Sequence, residues 1–429
     1  MTGPAVLANA KGRLLPAATP LRFFLAATVF HLAAWGALGL AAGDVADFVG
    51  GPGPTLAALH LATLGVLSCA AFGAAFQLLP VATRAPIGSA ALADLAFWLL
   101  APGVALLTGA MALSSADGMI AGAAVTGAAF ALFAGLTLRN LARAPSADAV
   151  MPFVRAALVA LAGFVVPGLA LALDGRLGFL ADHMALARAH MIVAAFGFFG
   201  ALVAGFGAIL LPMFALAPNM PARLMRPLLV GLVAAVAASA VGVAFDVLPL
   251  AIPGVVVGLG AAGLYVVVVE RTLATRLRRK LGEEFALVRV SEAALLLAVA
   301  LGLALVAGAP IPRGEALFGW LTVAGWLLSF ALAILQRILP FLTSMHVRDA
   351  RGRPPLASTL APRLPLVIHT ACHVVALCGV GLGVALDVVW LVRAGALVGA
   401  CGAAAFLWFA IAVAAHVRAG ARPAKGSGS

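Results

Sequence analysis

Charge is scarce in this 429-residue chain: only 10% of its residues are Asp, Glu, Lys or Arg, against about 25% in ordinary soluble domains. Hydrophobic residues make up 64%, which excludes a soluble globular fold. Acidic groups number 15, and there is a single tyrosine, Tyr265. The four cysteines (Cys69, Cys372, Cys378 and Cys401) all fall inside apolar blocks, which supports neither a disulfide framework nor an exposed redox pair. No cleavable leader is expected, because the basic N-terminal stretch with Lys11, Arg13 and Arg22 runs straight into a segment long enough to remain as a span. The terminal Gly-Ser-Gly-Ser carries no structural information.

What the chain has is a succession of apolar runs long enough to cross a bilayer. Read between charged or Pro/Gly breaks, they fall at 21–43, 55–80, 88–113, 118–138, 151–173, 184–215, 226–246, 249–270, 290–310, 315–345, 363–386 and 388–417. The expectation is an all-α polytopic membrane protein of about twelve helices forming one transmembrane domain over 1–429. With the N-terminus inside, the inner side collects 23 of the 27 Lys and Arg, leaving Arg176, Arg188, Arg313 and Arg393 outside. This asymmetry predicts an inner-membrane protein with both termini cytoplasmic. The run Arg276, Arg278, Arg279, Lys280 then reads as an orientation signal touching anionic lipid, with no nucleic-acid partner.

Three even-numbered spans share a pattern: Gln77-Leu-Leu-Pro80, Leu210-Leu211-Pro212 and Ile338-Leu339-Pro340. A glycine stands fifteen positions before each proline (Gly65, Gly197, Gly325), and a small residue seven before it (Gly73, Gly205, Ala333). The spacing predicts three pseudo-repeats of four helices, approximately 21–138, 151–270 and 290–417. Because four is even, all three would share one orientation about an axis along the membrane normal. That differs from inverted-repeat transporters and from two units of six.

Eight histidines stand in this apolar chain, and ionisable groups at membrane depth mark sites or pathways. His183, His346 and His416 read as interfacial. His60 lies about 8 Å and His190 about 12 Å below the outer helix ends, 20 and 22 residues before their prolines. The third unit offers Trp320 or Phe318 there. Two imidazoles at similar depth on related helices could meet across a cofactor. His369 and His373 share a face of the eleventh span with Cys372 adjoining, and His31 falls at a similar mid-membrane depth. Imidazole binds haem iron, copper and zinc alike, so the ligands do not choose the metal. Arg188 and Arg393 are placed to pair with haem propionates. Asp94 reads as either a proton-relay group or a helix-end residue. Gln77, Gln336 and Arg337 read as inner-end residues, Arg337 snorkelling.

Twelve spans in three sets of four, with a histidine near the outer end of the second, resemble the subunit I superfamily of haem-copper oxidases. His60-Leu-Ala-Thr-Leu-Gly…Gln77-Leu-Leu-Pro80 and His190-Met-Ile-Val…Leu211-Pro212-Met-Phe are similar to oxidase-subunit-like proteins of the NnrS type. The resemblance implies a non-covalent haem b and a role in electron transfer, gas binding or nitric-oxide handling, with a respiratory electron donor or other membrane subunits as partners. It places His60 at the haem-ligand position, and His190 loosely at the sixth-helix position. The seventh and tenth spans lack the superfamily's histidines and no tyrosine lies near His190, so an oxygen-reducing binuclear centre is not expected. The second axial ligand would be His190, His373 or His31, in that order. Two further readings stay open. One is a copper or small-solute transporter lined by His369, Cys372, His373 and Asp94. The other is a structural or assembly subunit of a respiratory or photosynthetic complex. No catalytic residue is assigned.

Overall fold

A computed structural model of the chain describes residues 14–145, 150–347 and 353–420, with no side-chain detail for 418–420. Lys11 and Arg13 lie outside the described residues, as do the last nine positions. Twelve helices are long and apolar enough to span a membrane: α1 (Ala18–Leu40), α2 (Pro54–Ala82), α3 (Ala90–Ala112), α4 (Ala116–Ala142), α5 (Met151–Leu177), α6 (His183–Ala215), α7 (Ala222–Ala244), α8 (Leu248–Ala274), α9 (Glu283–Val306), α10 (Gly314–His346), α11 (Arg363–Leu386) and α12 (Val389–Val417 as a span, its helix running on to Gly420). No strand occurs among the described residues. Backbone polar groups have no water to bond in a bilayer, and apolar runs of this length satisfy them internally as helices. Because twelve is even, the start of α1 and the end of α12 fall on one side of the bundle, termed the near face; the other is the far face.

The largest boundary difference is in α9, expected over 290–310 and observed over Glu283–Val306. Its polar first turns are helical because Glu283 and Glu284 sit at the positive end of the helix dipole. Pro80, Pro212 and Pro340 do not end their helices either. Each is buried inside its helix, which continues to Ala82, Ala215 and His346 respectively.

α2, α6 and α10 form the inner layer: 78%, 61% and 67% of their most apolar stretch is buried, against 50% or less in every other span. Each contains a wide π turn, at Leu61–Leu67, Val193–Phe199 and Leu321–Leu328. All three π segments begin nineteen residues before the proline of their helix and include its glycine. The segment of α10 touches those of both α2 and α6. π turns insert a residue and re-aim the side chains that follow, and they recur at functional sites.

The glycines explain how the outer helices attach. A Cβ on Gly65 would lie 2.7 Å from Phe30 of α1, on Gly197 3.0 Å from Ala160 of α5, and on Gly325 2.7 Å from Ala294 of α9. In each set of four, the first helix therefore crosses the second at the π-segment glycine. The third and fourth helices form close hairpins: Cβ atoms on Gly122, Gly242 and Gly383 would come within 2.5–2.8 Å of backbone atoms of Leu107, Ala251 and Val392. Without a hydrophobic drive between helices in lipid, this close backbone approach supplies the association energy.

Asp94 is no isolated intramembrane carboxylate. It pairs with Arg22 at 2.8 Å and accepts from the Thr19 hydroxyl at 2.8 Å, all at the near end of α1 and α3. Arg337 pairs at 3.4 Å with Glu284, in the first turn of α9, and its guanidinium lies 5.7 Å from the centre of the Phe214 ring.

Candidate cofactor cavity and three-histidine centre

A cavity of about 1000 Å³ opens among the far-face loops and is lined by residues of α1 through α11. That is the upper end of the range for cofactor and ligand pockets, about 300–1,000 Å³. Its walls are mostly apolar, and the three inner helices present His60, His190 and the Phe318–Trp320 pair to it. His60 and Trp320 immediately precede their π turns, and His190 stands three residues ahead of its own. The corresponding positions read from the sequence thus converge on one space.

His60 and His190 have the same tautomer, for a geometric reason. Nδ1 of His60 lies 3.0 Å from the Leu56 carbonyl, and Nδ1 of His190 lies 2.9 Å from the Phe164 carbonyl of α5. A carbonyl only accepts, so Nδ1 carries the proton in both rings and Nε2 keeps its lone pair. A carbonyl bonded to the second ring nitrogen is the usual outer partner of a metal-bound imidazole, fixing its tautomer and orientation. Gly168 makes room for the His190 ring: a Cβ there would stand 3.1 Å from its Cε1. Both histidines are half-buried and line the cavity, so a cofactor bound there, haem among them, would meet two imidazole donors.

At the mouth, Arg188 lines the cavity but is bound to Glu315 at 3.1 Å, and both are about half exposed. Arg393 is exposed on α12 and does not line the cavity. His183 begins α6 and bonds Asp174 at 2.8 Å, while its neighbour Asp182 caps the helix.

A second centre adjoins this space. His31, His369 and His373 are each 1% exposed or less, and one ring nitrogen of each lies within 4.8 Å of the others. Their ring centres are 5.7–6.4 Å apart. Every ring is held on one side. Trp35 Nε1 donates to His31 Nε2 at 2.9 Å, Gln336 Nε2 lies 3.0 Å from His369 Nδ1, and Ser329 Oγ lies 2.8 Å from His373 Nε2. Phe406 stacks on His369 with ring centres 4.4 Å apart. The other nitrogens, His31 Nδ1, His369 Nε2 and His373 Nδ1, are buried without a protein partner.

Three buried imidazole nitrogens without partners are costly unless something joins them. Ser329 donates to the Ala324 carbonyl at 3.2 Å, so it accepts from His373 Nε2–H and leaves the Nδ1 lone pair free. Gln336 Nε2 also lies 3.1 Å from the Thr370 hydroxyl while its Oε1 is buried without a partner, so which end of the amide meets His369 Nδ1 decides which nitrogen of His369 keeps a lone pair. Trp35 can only donate, so His31 carries its proton on Nδ1. The three unpartnered nitrogens are all buried, with a lone pair on His373 Nδ1 and an N–H on His31 Nδ1. His31 and Trp35 also line the cavity, and Trp35 packs edge-on to Trp320 with ring centres 6.0 Å apart, so the two centres share a wall.

Cys372 is not part of this cluster. It faces α12, where a Cβ on Gly402 would come within 2.7 Å of its own Cβ. Among the cysteines Cys69 is buried, while Cys378 and Cys401 are exposed on the outer surface of the bundle. Trp35, Ser329, Gln336 and Gly168 were not singled out from sequence as parts of a site. The one available signal was Trp35, four residues after His31 and so on the same helix face. No family model and no curated protein matches this chain.

Proposed function

We propose that this is a haem-binding inner-membrane protein, akin to subunit I of the haem-copper oxidases, in which His60 and His190 are the axial ligands of one haem b. The observation that carries this reading is the shared state of the two rings. Each Nδ1–H is tied to a backbone carbonyl, and each ring borders the same cavity of about 1000 Å³. Haem would supply one-electron chemistry and gas binding. The chain would supply fixed imidazoles, an apolar wall of aromatic rings, and an opening toward the far face. Positive charge on the near face supports reading that face as cytoplasmic, with the cavity opening to the opposite side. The role is electron transfer or nitric-oxide and gas handling, with a respiratory electron donor or other membrane subunits as partners.

The three-histidine cluster favours a second centre, a metal such as copper held by His31, His369 and His373. This modifies the ligand set read from sequence, since His31 takes the place of Cys372. The three unpartnered nitrogens and the Ser329 and Gln336 partners support it, while Trp35 holds the His31 proton on Nδ1 and so opposes the third ligand. Replacement of single ligands tests both. His60→Ala and His190→Ala should each lower haem per chain while leaving bound metal unchanged. His373→Ala should do the reverse. Haem retained in full by both of the first two variants would refute the ligand assignment.

A further inference from the structure

The only tyrosine of the chain and a buried glutamate lie at one depth on adjacent antiparallel helices. Tyr265 stands nine residues before the near-face end of α8, and Glu292 nine residues after the near-face start of α9, so each is about 14 Å in. Both are 5% exposed. The Tyr265 hydroxyl is buried without a partner and lines the cavity. Glu292 Oε1 is also buried without a partner. Glu292 is close enough to act electrostatically on the Tyr265 hydroxyl.

Towards the near face, the Glu270 carboxyl is close enough to act electrostatically on Glu292. Glu270 is partly exposed and accepts two hydrogen bonds from Arg289, at 3.2 and 3.4 Å. Arg289 is itself exposed, six residues from the near-face start of α9. An apolar pair would pack here at far lower cost, since a carboxyl and a phenol at membrane depth are expensive and mark pathways.

We propose that Glu270, Glu292 and Tyr265 form a proton route from the near face to the cavity. The proposal rests on a redox cofactor lying in that cavity. Tyr265 passes its hydroxyl proton to an oxygen or nitrogen acceptor in the cavity and regains one from the Glu292 carboxyl through a bridging water. Glu292 regains its own from Glu270, and Glu270 from near-face water, so the route ends unchanged and one proton has moved.

Two readouts on the full-length purified protein test it. The first needs no haem: infrared spectra after rapid transfer to heavy water. A protonated-carboxyl band, lost in Glu292→Gln, should exchange promptly in the unaltered protein and roughly a hundredfold more slowly in Glu270→Leu. The second is proton uptake when dithionite reduces the reconstituted protein. Glu292→Gln and Tyr265→Phe should each slow it roughly a hundredfold with haem content unchanged. Absence of the band, its failure to exchange, or unaltered uptake in both variants would overturn the route. Protein without haem would refute the cofactor reading alone, and the exchange measurement would then decide the route by itself.

Discussion

Trp35 donates its indole N–H to Nε2 of His31 at 2.9 Å, one helical turn away on α1. Because Trp has no acceptor, this bond holds the His31 proton on Nδ1, on the side away from the indole. The partners of His369 and His373 can instead accept a ring proton. The three outer partners of the cluster therefore act in opposite senses on a bound metal.

Ser329→Ala and Gln336→Leu should each weaken metal binding by about 10–100-fold, the usual effect of losing an outer partner of a metal-bound histidine. Trp35→Phe should strengthen it, since Nε2 is then free to take the ring proton and Nδ1 offers a lone pair. Competition with a chelator of known affinity measures all three. Weakening by all three variants would remove His31 from the ligand set.

Gly168 is the contact on which the placing of His190 depends. Gly168→Leu drives a side chain into the space of the imidazole ring, where even a Cβ would stand at 3.1 Å. Haem per chain should fall about tenfold or more, with helix content by circular dichroism unchanged. Full haem occupancy in this variant would show that His190 is not held where the carbonyl of Phe164 places it.

Asp94 belongs to stability. Its partners Arg22 and Thr19 tie α1 to α3, and the Arg22–Asp94 pair is about one-third exposed. Asp94→Asn should cost about 1 kcal/mol or less and lower the midpoint of thermal unfolding in detergent, with haem and metal content unchanged. Loss of cofactor without loss of stability would contradict this.

Much of the fold was legible in the sequence because the bilayer makes its demands in a local code. Span length and apolar composition are set by membrane thickness, and all twelve helices lie where the apolar runs do. The misplaced start of α9 came from reading Arg289 as a break, although Glu283, Glu284 and Arg289 all lie in its near-face turns. The site was legible only in part. His60 and His190 were found by depth and by their distance from Pro80 and Pro212, quantities that a helix preserves. What joins His31 to α11 is the rotation of helices about their axes, which spacing along one segment does not encode. The partner of His369 is Gln336, which reads in sequence as one polar residue beside Arg337. The direction of Cys372 depends on the close approach of α11 and α12 at Gly402.

The regular place of the π turns was not readable either. A π turn has no composition of its own, and Gly65, Gly197 and Gly325 served only as markers of close packing. Their common offset from Pro80, Pro212 and Pro340 in the folded backbone supports descent of the three four-helix sets from one unit. It also explains why His60, His190 and Trp320 face one cavity.

A reduced-minus-oxidised visible spectrum of the purified protein is the sharpest test of a haem held by His60 and His190. It should show the sharp bands of a six-coordinate b-type haem at one per chain, lost in His60→Ala and in His190→Ala. A flat difference spectrum from folded, unaltered protein expressed with ample haem would contradict it.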